Sequence, residues 1–340
     1  MRAWILHGPR DLRLEEQSLD GEHLAADELW VRTDASALST GTDRGNYEGA
    51  ELVPGANDYP RTLGYSNAGT VLKTGSQVTH FAPGDRVFTL KPHQSEFICQ
   101  ESDMVVRIPE SVSAESAAMT YLYHLGFHAL RTGGLTPGES VAVVGTGVLG
   151  LTTITLARIF GARVVALGNA ANRLELAQKV GAHRTWFSND PDLPGKLNDL
   201  TDGIGIDLVV LAANPWDAYR TAAESVRPAG RISVLSLPGR GEAELTFNPL
   251  ALKWLYGKSL TIIGMGSLPG YAYPLMDGTR RFSIQRGCQY LLHLMEEGTI
   301  RPQDLITHRL PYDQAPLAYE MAYNRDKSMV GTIFEWPQGR

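Results

Sequence analysis

Residues 137–150 read PGESVAVVGTGVLG, and the fold turns on how this stretch is read. The run from Val141 to Val144 is short, apolar and mostly β-branched, as a buried strand requires. Gly145-Thr146-Gly147-Val148-Leu149-Gly150 follows at once, and then LTTITLARIFG, which has the composition of a helix. A G-x-G-x-x-G match alone says little in a chain with 35 glycines. Between a strand and a helix it has the context the motif needs. The first glycine allows a tight turn, the second lets a pyrophosphate approach the backbone, and the third lets helix and strand pack closely. The helix N-terminus then faces the anion.

Downstream the same alternation continues. RVVAL (163–167), DLVVLAA (207–213), RISVLSL (231–237) and LTIIGMG (260–266) read as strands, with NRLELAQKVG and DAYRTAAESVRPAG as helices among them. Buried strands alternating with helices form a parallel sheet with right-handed crossovers. Upstream, LWVRTDA (29–35), AGTVLKTGSQV (68–78) and DRVFTL (85–90) are short runs broken by Gly, Pro, Asn and Asp, the pattern of a compact β-rich module. SAESAAMTYLYHLGFHALRTGG reads as one helix, capped by Ser113 and stopped by a glycine pair. In the tail, QYLLHLMEEG and QAPLAYEMAYNRD read as helices and MVGTIFEW as a strand, and this tail is expected to fold back onto the first module.

A length of 340 residues suits about two domains of roughly 100–200 residues each. With 43% hydrophobic and 20% charged residues the chain has the composition of a globular protein. A net charge of −6 without a basic cluster disfavours nucleic acid or an anionic membrane as partner. No apolar run approaches the roughly 20 residues that cross a bilayer, and MRAWILHGPRDLRLEE is not a secretory signal. Cys99 and Cys288 are too few for a disulfide framework or a four-thiolate zinc site, which points to a reducing cytoplasm.

In such folds an acidic residue about 20 positions beyond the glycine loop binds the adenosine ribose. The corresponding strand end here is Gly168-Asn169, with no carboxylate, and Arg173 follows shortly after. A 2′-phosphate is tolerated by Gly and Asn and can pair with an arginine, so NADP(H) is expected over NAD(H). Arg173 covering adenine or facing solvent is the plainer alternative. Ligands also touch the carboxyl ends of the other strands: Ala212, Ala213 and Asn214; Ser236, Leu237 and Pro238; and Met265, Gly266 and Ser267.

With those residues in view, the chain resembles the medium-chain dehydrogenase/reductase superfamily, the relatives of zinc alcohol dehydrogenases and quinone reductases, over essentially its whole length. MRAWILHGPRDLRLEE resembles the family's first hairpin, SALSTGTD (36–43) its catalytic loop, and LGYSNAG (63–69) the segment that usually carries Gly-His-Glu. GSQVTHFAPGDRV resembles its Gly-Asp-Arg-Val turn, and VRPAGRISVLSLPG its fifth Rossmann strand. The resemblance implies an α/β protein: a GroES-like β-rich catalytic domain from both chain ends (1–124 and 268–340) and a Rossmann domain (125–267), with nicotinamide and substrate held between them. It also implies a homodimer paired through the last Rossmann strand, LTIIGMG, whose open edge would otherwise invite unwanted pairing.

The chain departs from the zinc pattern at every ligand position. Zinc members place Cys where this chain has Thr40, His and Glu where it has Tyr65 and Ser66, and a third ligand near Tyr121. The four-cysteine structural lobe is missing, since TLKPHQSEF runs on directly after Phe88. Hydroxyls are poor zinc ligands, so no metal is expected. The set S-x-G-T-D, L-G-Y-S-N-A-G and H-x-S-E-F is similar to zinc-independent members, often assigned to sugars, cyclitols or other secondary alcohols.

Without a Lewis acid, a hydroxyl or imidazole must manage the proton on the substrate oxygen. The candidates are Tyr65, which otherwise plugs the former metal position; Thr42, which otherwise bonds local backbone; and His124, one helical turn beyond Tyr121 (i, i+3), which otherwise is a buried helix histidine. Thr40, Tyr65, His93 and Tyr121 are expected to line the substrate pocket. Asp43 is expected to tie down backbone N–H groups. The segment SLPGYAYPLMDGTRRFSIQR after the last strand is either a lid or a surface loop. Three functions are consistent with these readings: a zinc-independent, NADP(H)-preferring oxidoreductase interconverting a polar secondary alcohol, sugar- or cyclitol-like or another biosynthetic intermediate, and its ketone; a quinone or enone reductase adding hydride to an activated C=C; and a non-catalytic nucleotide-binding or sensing protein.

Overall fold

The computed structural model describes residues 1–52, 57–265 and 283–337. The chain divides into two compact units, Met1–His124 with Leu268–Arg340, and Leu125–Ser267.

The first unit opens with β1 (Arg2–Leu6) and β2 (Leu12–Glu16), an antiparallel hairpin. β3 (Glu28–Leu38) leads into helix α1 (Thr40–Glu48), followed by β4 (Arg61–Thr62), β5 (Asn67–Thr74), β6 (Arg86–Thr89), β7 (Glu96–Gln100) and β8 (Val105–Arg107). SALSTGTD was expected to be a loop, but its second half is the first turn of α1. Two glycines make this a poor helix by propensity. It forms because Asp43 Oδ2 accepts the Ser39 backbone N–H at 2.8 Å, and it stops at left-handed Gly49. The following helix also differs from its reading. It splits into α2 (Ala114–Ala118) and α3 (Thr120–Thr132), interrupted at Met119. The Ser113 cap is as expected, with its Oγ accepting the Ser116 N–H at 3.2 Å.

In the second unit, β9 (Ser140–Val144), α4 (Val148–Ile159), β10 (Arg163–Gly168), α5 (Ala171–Lys179), β11 (Arg184–Phe187), α6 (Leu193–Leu200), β12 (Ile206–Leu211), α7 (Trp216–Ser225), β13 (Val226–Val234) and β14 (Thr261–Gly264) follow in order. The sheet order is β11-β10-β9-β12-β13-β14, and every pair is parallel. All five residues of β9 are buried, as a strand covered on both faces must be. β11 and α6 add to the sequence reading. β13 starts at Val226 rather than 231, because Pro228 cannot continue the preceding helix. The core on one side of this sheet joins β-strand residues such as Val144, Leu167 and Leu211 to Tyr219 and Ala222 of α7.

The tail, α8 (Ile284–Glu296), β15 (Ile306–Pro311), α9 (Ala315–Tyr323) and β16 (Gly331–Glu335), returns to the first unit. β16 pairs antiparallel with β3, placing Thr332 opposite Leu38 and Phe334 opposite Ser36. α9 covers that face, where Tyr319, Phe334, Leu38 and Leu63 share one core. Among the described residues no helix is long and apolar enough to cross a membrane.

Candidate functional site

The strand order of the second unit reverses at β9, with β10 on one side and β12 on the other, and the glycine loop leaves β9 at that point. Its three glycines meet three different demands. Gly145 has φ +107°, and a Cβ there would lie 2.8 Å from Ala213 Cβ, so the loops after β9 and β12 touch. A Cβ on Gly150 would lie 1.8 Å from the Gly145 carbonyl oxygen, so α4 packs on this turn only through a glycine. Around Gly147 nothing lies within 4 Å of a Cβ position, and no side chain caps α4, whose N-cap it is. That open backbone at a helix N-terminus leaves room for an anion such as a pyrophosphate. Val148 is buried in the first turn of α4, beside half-buried Leu149.

Around this loop, Gly168 ends β10, and a Cβ there would lie 2.5 Å from Thr146 Oγ1. Packing against the buried Thr146 therefore also favours glycine at this position, independently of any ribose phosphate. Asn169 is exposed, and half-buried Arg173 lies in the first turn of α5. Asn214 ties the next two loops together: its Oδ1 accepts the Leu237 N–H at 3.1 Å and its backbone oxygen the Gly239 N–H at 2.8 Å. The Ser236 hydroxyl oxygen is buried and has no hydrogen-bond partner among the described residues, as a group reserved for a ligand would be. The residues of this unit thus fit a bound dinucleotide. Gly266 and Ser267, and the proposed lid up to residue 282, lie outside the described residues.

The hydroxyl-bearing candidates gather in the first unit. Tyr65 follows left-handed Gly64 and is half-buried. Its ring meets Tyr121 edge-on at 5.5 Å, and Tyr121 stacks on buried His124 at 5.6 Å. Burial, and then the Asp43 carboxylate, push the Tyr65 phenol well above its ordinary range, with the nearby Ser39 and Thr42 hydroxyls opposing. At neutral pH this phenol keeps its proton, so it is a donor. Thr40 and Thr42 are half-buried on the first turn of α1, and Asp43 beside them is fully buried. Ser66 donates to the Ala118 carbonyl at 2.5 Å.

His93, expected on the pocket wall, sits in the core beneath it. It is fully buried, with Nδ1 2.8 Å from Ser36 Oγ and its ring edge-on to Phe334 at 4.9 Å. Its Nε2 lies against Gly64, 2.5 Å from where a Cβ would be. One neighbour of this cluster carries no sequence motif: Tyr319, from the far end of the chain on α9. Ser39, the first residue of the S-x-G-T-D set, immediately precedes α1.

Residues 25–136 match the family model for the alcohol dehydrogenase GroES-like domain, and residues 148–274 that for zinc-binding dehydrogenase. The chain belongs to the medium-chain dehydrogenase/reductase superfamily, among its alcohol dehydrogenases. Sorbitol dehydrogenase of Bacillus subtilis (strain 168) is 25% identical over 95% of this chain and 93% of its own. An NADP-dependent isopropanol dehydrogenase of Thermoanaerobacter brockii is 26% identical over 80% and 83%. The structure of 2R,3R-butanediol dehydrogenase from Bacillus subtilis, 20% identical, superposes with a TM-score of 0.81 over 99% of both chains. The zinc-binding dehydrogenase model implies a zinc ion, and the residues here do not fit one. Threonine, tyrosine and serine stand at its ligand positions, and among the described residues no three His, Cys, Asp or Glu side chains come together.

Proposed function

We propose that this alcohol dehydrogenase is zinc-independent, prefers NADP(H), and interconverts a polar secondary alcohol, of the sugar, cyclitol or related biosynthetic kind, with its ketone. The observation that carries the reading is the donor set around Tyr65. A protonated phenol backed by Ser39, Thr42 and Asp43 stands where a metal ligand would otherwise be. Bound nicotinamide supplies the hydride. Tyr65 donates its proton to the ketone oxygen as hydride reaches the carbon, leaving a phenolate that takes a proton from water before the next turnover; alcohol oxidation runs the same steps in reverse, the phenol first losing its proton to water. Thr42 keeps the phenol oriented, and the Tyr121–His124 stack walls one side of it. Hydroxyl groups on this wall suit a hydroxylated substrate, and the names of the sorbitol and isopropanol dehydrogenases agree with a secondary alcohol. Preference for the 2′-phosphate rests on the lack of a carboxylate at Gly168-Asn169 and on Arg173 beyond them. The chain is further proposed to act as a cytoplasmic homodimer paired through β14, which lies at the sheet edge.

A thermal-shift titration of the purified protein with NADPH and NADH tests the nucleotide half of this reading. A ligand bound only by the folded state stabilises it by about 2.7 kcal/mol at a hundredfold excess over Kd. NADPH is expected to raise the transition well above NADH. A larger shift with NADH would refute the ribose-pocket argument, and no shift with either would refute the enzyme.

A further inference from the structure

Tyr319 carries a hydroxyl where the surrounding core asks for a phenylalanine. Its ring is fully buried and lies parallel to Phe334 at 6.5 Å. Its oxygen is buried without a hydrogen-bond partner among the described residues. Buried polar atoms are normally satisfied, and one that is not costs stability, so it calls for a reason.

The neighbours of the ring supply one. Asp43 and Tyr47 are one turn apart (i, i+4) and share a face of α1. Tyr47 meets the Tyr319 ring at 5.3 Å, so the α1 face that carries Asp43 is the face turned to α9. The Asp43 carboxylate raises both phenols, Tyr65 and Tyr319, and the Tyr65 oxygen acts on Tyr319 as well. On a second side, His93 is edge-on to Tyr319 at 6.5 Å, and its Nε2, also without a partner among the described residues, lies against Gly64, the neighbour of Tyr65. Two rings from elements distant in sequence, each with a buried unpartnered polar atom, thus meet edge-on at 6.5 Å.

We propose that Tyr319 is a positioning residue for Tyr65: its hydroxyl, set against the α1 face that carries Asp43, acts through that carboxylate on the orientation in which the Tyr65 phenol donates its proton. The groups facing that phenol are Ser39, Thr42 and Asp43 around α1, Tyr121 with His124 behind it on α3, Tyr319 on α9, and His93 beneath Gly64. No bond to substrate is assigned to Tyr319. Its role in turnover rests on Tyr65 being the proton donor; its coupling to Tyr65 does not.

The test is Tyr319→Phe, which removes one oxygen. Protein labelled with 13C at tyrosine Cζ gives one resonance for Tyr65, assigned by its loss in Tyr65→Phe. In Tyr319→Phe this resonance is expected to move, and the melting temperature is expected not to rise. With NADPH and fructose, acetoin or acetone as ketone probes, kcat should fall about tenfold or more with KM unchanged, because a small misplacement of the donor slows chemistry and leaves binding alone. A Tyr65 resonance that stays in place overturns the proposal, most directly if the variant also melts higher, since the hydroxyl is then only a frustrated core atom. A raised KM with unchanged kcat overturns it too. If Tyr65→Phe keeps full turnover while the resonance still moves in Tyr319→Phe, the coupling stands and the assignment of Tyr65 as proton donor fails.

Discussion

His93 enters its core with Nδ1 on the Ser36 hydroxyl and the Trp336 indole N–H on the same oxygen, 3.0 Å away. Burial lowers its pKa from 6.5 to about 3. The folded protein therefore keeps this ring neutral down to about pH 3, whereas the unfolded chain protonates it through pH 6.5. Between those values the unfolded state binds more protons, so stability falls as pH drops, by about 1.4 kcal/mol per pH unit for this group alone. His128, lowered to about 4 by burial and then by Arg131, adds to the same slope. Urea denaturation between pH 6 and 4 should show a shallower loss of stability in His93→Gln than in the wild type. Parallel curves would mean that His93 is not buried as a neutral ring. At this scale the sequence disclosed some residues and hid others. Tyr65 was legible because a motif surrounds it. The burial of His93 against Ser36, Phe334 and Trp336 arises from the β3–β16 pairing of distant chain segments, which no local pattern encodes.

Among the elements, the glycine loop offers the sharpest contrast. Gly147 and Gly150 look equivalent in the motif, but one borders open space and the other a carbonyl oxygen. Gly147→Ala should leave the melting temperature of the apo protein unchanged and weaken NADPH binding roughly tenfold, about 1.4 kcal/mol. Gly150→Ala should destabilise the fold itself by about 1–3 kcal/mol, as overpacking does. Calorimetry of binding together with thermal denaturation separates the two, and a reversed pattern would contradict this reading of the loop. The alternating β and α elements around this loop were legible because buried β-branched runs and helical runs differ so plainly. α1 was not, since its stability comes from the Asp43–Ser39 bond and left-handed Gly49 rather than from helix-forming residues. β11, a four-residue edge strand reading RTWF with both ends exposed, carries too little pattern to stand out.

Over the whole molecule, the open edge of the six-stranded sheet and the absent metal ligands make separate predictions. β14 ends the sheet with Ile262 and Ile263 only half-buried. A lysine at Ile263 should shift the protein from dimer to monomer in analytical ultracentrifugation, because a charge facing its own copy opposes strand pairing. A wild type that sediments as a monomer would dismiss the dimer. The central claim, that this member of a zinc-dehydrogenase family works through a phenol, is met most directly by one measurement: NADPH-dependent ketone reduction before and after exhaustive treatment with a strong zinc chelator, with metal content followed in the same sample. The account predicts an unchanged rate and a metal content far below one zinc per chain. A rate that collapses on chelation and returns on adding zinc would contradict it.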